Sequence, residues 1–227
     1  MSAPFDNMIA MSKVVNFSMA NPGRIVRFLP AQDLSAEETR LLGLMREAAR
    51  SHQEDLDYQD VDWGLSIQDA LEHLITGQAD STADYAGSAY YTALQIIIDH
   101  NSSDSETLGS YRSPATFFSA LDDALSTAGV PKDLLPAQYL YSGPSLHIDF
   151  YIPRPLEGSP EIGCWPLSNA AQAVDAYRAA VDRIDADLRY DLEELITALD
   201  GWASEWVEGR GAWWWAEDSS IFFSITG

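Results

Sequence analysis

The chain has 227 residues, 46% of them hydrophobic, which suits one large domain with a real core and excludes global disorder. Its 35 acids against 13 Lys+Arg give a formal net charge of -22, a field that repels phosphate backbones and anionic membranes and argues against direct nucleic-acid binding. One cysteine, Cys164, excludes an internal disulfide framework and a cysteine-based zinc site, in keeping with a reducing cytoplasm.

No basic region followed by an apolar run opens the sequence, so no signal peptide is expected, and the longest aliphatic run, LQIIID, is too short to span a bilayer. Residues 1–10 show no periodic pattern and are expected to lie outside the folded core, with a single domain over 11–227. KVVNFSMA (Lys13–Ala20) predicts a strand, with Val14, Asn16 and Ser18 alternating against Val15, Phe17 and Met19. Asn21-Pro22 starts a short helix, and Ser35-Ala-Glu-Glu38 is a capping box that opens a long one through Leu41, Leu42 and Met45 towards Leu56.

In VDWGLSIQDALEHLITG, Ser66 caps a helix with Asp69 in its first turn. Ile67, Ala70, Leu71, Leu74 and Ile75 form its buried stripe, and Thr76-Gly77 ends it. YAGSAYYTALQIIIDH reads as a helix with a β-branched end. SPATFFSALDDALSTAG is a clearer one, capped by Ser113 and stopped by Gly129. LHIDFYIP alternates as a half-buried strand ended by Pro153, and IGCWPL suits a short edge strand. Ser168 is expected to cap the next helix, another follows from about Leu188, and SIFFSIT closes the chain as a strand. The irregular order of elements predicts an α+β fold, a small mostly antiparallel sheet packed against several helices.

Several of these pieces, in this order, resemble the YfbM-like family of bacterial proteins. They are KVVNFSMANPGRIVRFL, the segment VDWGLSIQDALEHLITG, the loop and helix EIGCWPLSNAAQAVDAY, and the closing LRYDLEELITALDGW and IFFSIT. Asp62, Leu71, Leu74, Thr76 and Gly77 fit the family's most recognisable helix. The resemblance implies a single α+β domain and transfers no activity; by it, residues 79–160 look like an insertion.

Chemistry-bearing residues are sparse. No H-E-x-x-H, G-x-S-x-G, phosphate-binding glycine loop or paired C-x-x-C occurs. His147 and Asp149 would share one face of a strand, with a third ligand from His52, Asp55, Asp99 or His100, but a plain half-exposed strand face is the preferred reading, so no metal and no cofactor are expected. His73, oriented by Asp62 or Asp69, is a candidate general base, with a hydrogen-bonded rim histidine the preferred alternative. Cys164 has no flanking cation and is expected to be inert.

Trp63 and the run Trp213, Trp214 and Trp215 are candidate aromatic anchors, and Asp55, Asp57, Asp60 and Asp62 stand in a stretch, Ser51 to Tyr111, that contains no Lys or Arg. The expected function is an acidic, non-catalytic interaction protein, immunity- or inhibitor-like, that binds a basic protein surface. The alternative is a small-molecule enzyme with a pocket near Asp62/His73 or His147/Asp149. Acidity serving solubility alone is the third reading.

Overall fold

The structure, a computed structural model, describes residues 12–156, 160–208 and 218–227. The expected extension at residues 1–10 and the anchors Trp213, Trp214 and Trp215 lie outside these described residues.

Four strands form one antiparallel sheet: β1 (Lys13–Ala20), β2 (Glu106–Tyr111), β3 (Glu161–Pro166) and β4 (Ser220–Thr226), in the order β2-β1-β4-β3. The alternation in β1 sets the two faces. Val15, Phe17 and Met19 stand opposite Ile225, Phe223 and Ile221, and with Trp165 of β3 they form the first core. That core is completed by α5 (Pro114–Thr127), α7 (Leu167–Ala180) and α8 (Ala186–Glu208). On the other face, Ala20, Phe222, Ile162 and Cys164 pack with α2 (Ala36–Tyr58), α3 (Ile67–Ile75) and α4 (Ala86–Asp99) in a second core. The short α1 (Pro22–Val26) adds Ile25 there. Helices thus cover both faces of an antiparallel sheet, where one wet face is common. The fold is a single α+β domain.

Helix ends follow local chemistry. The Ser35 hydroxyl accepts from the Glu38 N–H at 3.2 Å while the Ser35 N–H donates to the Glu38 carboxylate at 2.7 Å, the reciprocal capping box the sequence predicts. The Ser66 hydroxyl accepts from the Asp69 N–H at 3.0 Å. At the far end of α3, Gly77 takes φ 77° and the Gln78 N–H reaches the His73 carbonyl at 2.9 Å, which satisfies a terminal carbonyl.

Three expectations are corrected, and one strand has no counterpart among those expected. Leu146–Ile152 is not a strand: the segment is irregular and bends at Asp149–Phe150, so His147 and Asp149 do not share a strand face, and both are exposed. Its alternation is nevertheless real, because Leu146, Ile148 and Phe150 are half-buried and Ile152 is buried against the second core. The segment lies over α4 rather than beside a strand; at Gly87 the Arg154 carbonyl comes so close that a Cβ would collide with it. Ser168 does not cap α7, which starts at Leu167 directly after β3, so Ser168 sits within the first turn. Ser113 holds the cap position of α5 but bonds the Thr116 hydroxyl at 2.9 Å instead of a backbone N–H. Finally, β2 had no sequence signal. A bulge between its partners Val15 and Asn16 leaves Leu108 and Tyr111 buried three residues apart, which destroys a period of two. The segment 79–160 supplies α4 and β2, and so contributes to both the second core and the sheet.

Candidate functional site

Acidic residues concentrate where α2 ends and the chain turns into α3. Gln53 fixes this corner: its side-chain oxygen accepts from the Ile67 N–H at 2.9 Å and its amide donates to Asp57 at 2.8 Å. Asp60 takes the left-handed φ of 57° after the helix, and the Asp62 carboxylate accepts from the Gly64 N–H at 2.7 Å, closing the next turn. Asp62 is thus committed to a turn. Glu54, Asp55, Asp57, Asp60 and Asp62 are all exposed, and among them Tyr58 projects with 92% of its surface free. Tyr58 was not singled out in the sequence. Its only signal is one aromatic within the polar run SHQEDLDYQD.

Behind the corner lies a cleft of about 640 Å³. One wall is α2, through His52, Asp55 and Leu56; the other is α4, through Thr92, Gln95, Ile96 and Asp99. Trp63, half-buried against the second core, closes the end beside Val61. The floor is the polar end of the second sheet face, where Asn16 stands opposite Ser224 and Val14 opposite Thr226. No Lys or Arg lines it among the described residues.

Two of its polar residues are joined to one another. The Gln95 amide donates to the Asp99 carboxylate at 2.7 Å, which leaves the Gln95 side-chain oxygen buried and without a hydrogen-bond partner. Asp99 keeps a solvent-facing edge, yet the protein crowded around it raises its pKa above the ordinary 3.8. The Gln95 bond and the nearby His100 and His52 act in the opposite direction. Four of the sequence-named residues, His52, Asp55, Trp63 and Asp99, therefore line the cleft, whereas Asp62, His73, His147 and Asp149 are not in its lining.

His73 has partners other than those expected. Its Nδ1 lies 2.8 Å from the Tyr90 hydroxyl and 3.9 Å from the Asp80 carboxylate, while the Ser81 N–H donates to the same hydroxyl at 3.1 Å. Tyr90 is fully buried, and desolvation shifts its phenol up. Asp69 is taken by Ser66, and neither Asp62 nor Asp69 orients the imidazole. Cys164 is buried, and desolvation pushes its thiol up to about 11, which keeps it protonated and unreactive at neutral pH. Among the described residues no group of three or more His, Cys, Asp and Glu is placed to hold a metal ion, and no helix is long and apolar enough to cross a membrane.

A family model described as a domain of unknown function, DUF7691, matches residues 11–224. The chain belongs to this family. The match runs through both cores and the acidic corner, so the DUF7691 domain includes the segment 79–160. No curated protein and no solved structure matches the chain.

Proposed function

We propose that the chain is an acidic, non-catalytic interaction protein that binds a basic protein surface through the corner between α2 and α3. One observation carries this reading: Tyr58, 92% exposed, stands amid five exposed carboxylates in a stretch without Lys or Arg. An exposed aromatic is costly to leave in water and is the residue type most able to anchor an interface, while carboxylates around it steer a basic partner. Trp63, half-exposed at the same corner, is the second anchor. An immunity protein or inhibitor has this combination of charge and anchors. We also read the DUF7691 domain as a longer relative of the YfbM-like proteins, on the strength of the α3 segment and the β1–α1 opening.

The test is retention of proteins from a host lysate on the immobilised chain at low salt, with Asp55, Asp57, Asp60 and Asp62 all changed to Asn in a parallel column. A specific basic protein retained by the wild type, lost in the variant and released by salt supports the reading. Retention of no basic protein, or retention indifferent to both salt and substitution, refutes it.

A further inference from the structure

We propose that the cleft between α2, α4 and the sheet is a binding site for a small organic cation, a protonated amine carried on an apolar body. This goes beyond the protein-binding reading and does not rest on it. Size is the first reason: about 640 Å³ lies in the range of small-molecule pockets and is far more than one basic side chain fills. Polarity is the second. The ionisable side chains on the lining are the carboxylates of Asp55 and Asp99 and the imidazole of His52, with no Lys or Arg among the described residues.

The Gln95 side chain supplies an independent reason. Its amide nitrogen donates to Asp99, and its oxygen is buried without a hydrogen-bond partner. A buried acceptor without a partner costs free energy, and an ammonium group brings up to three donors to such a site. An ammonium entering the cleft meets the Asp55 and Asp99 carboxylates and the Gln95 side chain as acceptors on its walls. Trp63, Leu56, Val61, Ile67 and Ile96 supply the apolar and aromatic surface for the remainder of the ligand. A bare metal ion would leave that surface unused.

Three isosteric probes separate charge from apolar fit: phenethylamine, 2-phenylethanol and phenylacetate, each titrated calorimetrically into the full chain. The amine is expected to bind saturably, the alcohol at least about tenfold more weakly, and the carboxylate not measurably, since hydrogen bonds to charged groups are the stronger class. Changing Asp55 and Asp99 together to Asn is expected to weaken the amine by about tenfold or more, while Tyr58→Ala, which alters the corner and not the cleft, leaves it unchanged. Circular dichroism checks that the double variant is folded; the three probes on the wild type decide the matter if it is not. Equal binding of amine and alcohol, no saturable amine binding, undiminished binding by the folded double variant, or displacement of the amine by calcium or zinc ions would each overturn the proposal.

Discussion

Asp99 is exposed, yet the protein around it shifts its carboxyl above the ordinary 3.8. Its carboxyl is raised by desolvation, so its ionised form is better solvated in the unfolded chain. For an acid shifted up on folding, the penalty is present above the folded pKa and disappears below the unfolded value. Asp99→Asn is therefore expected to raise the thermal midpoint at neutral pH, and its advantage over wild type should shrink as pH falls towards the ordinary 3.8. Melting curves of both proteins across that range check the sign, and a variant less stable than wild type at neutral pH contradicts it. Gly87 carries the opposite kind of constraint. A Cβ there meets the Arg154 carbonyl, which is backbone and cannot rotate away, so Gly87→Ala should cost about 1–3 kcal/mol in chemical denaturation. Tyr58→Ala should leave stability nearly untouched, since the ring is almost wholly in water. The sequence does not distinguish these three positions from their neighbours. The close approach at Gly87 comes from Arg154, distant in the chain.

Elements were legible where a local device fixes them. The α2 capping box is written in four consecutive residues, and it forms as written. The backbone N–H of Ser35, followed by the Arg27 side chain, holds the Glu38 carboxyl down at about 2. An acid shifted down contributes its stabilisation above the unfolded value and loses it as pH falls through the folded one, here from about 4.5 to about 2. Ser35→Ala removes the acceptor for the Glu38 N–H and should cost about 1 kcal/mol at neutral pH, read by urea denaturation. By contrast, Leu146–Ile152 has the burial alternation of a strand without a strand beside it. Alternation reports which side chains face the core, whereas pairing depends on where the neighbouring backbone lies, and here the neighbour is the helix α4. The bulged β2 shows the converse: a paired strand whose buried residues, Leu108 and Tyr111, fall out of alternation. The metal candidate His147/Asp149 fails with the strand it assumed. The cleft was invisible for a related reason, since its walls come from helices forty residues apart and its floor from opposite ends of the chain.

For the molecule as a whole, charge is the dominant feature, and the fold gathers part of it on one corner with an aromatic at the centre. Rim carboxylates accelerate encounter with a basic surface, an effect screened over about 8 Å at physiological salt, whereas a central anchor governs dissociation. The most direct measurement is the association and dissociation kinetics of the retained basic protein, followed against ionic strength for wild type, for the variant with Asp55, Asp57, Asp60 and Asp62 changed to Asn, and for Tyr58→Ala. The expected result is an association rate that falls with salt in the wild type and is already low in the Asn variant. Tyr58→Ala should instead speed dissociation, at a cost of about 2 kcal/mol or more. Association indifferent to salt and to the four carboxylates, with dissociation unchanged in Tyr58→Ala, would contradict the account.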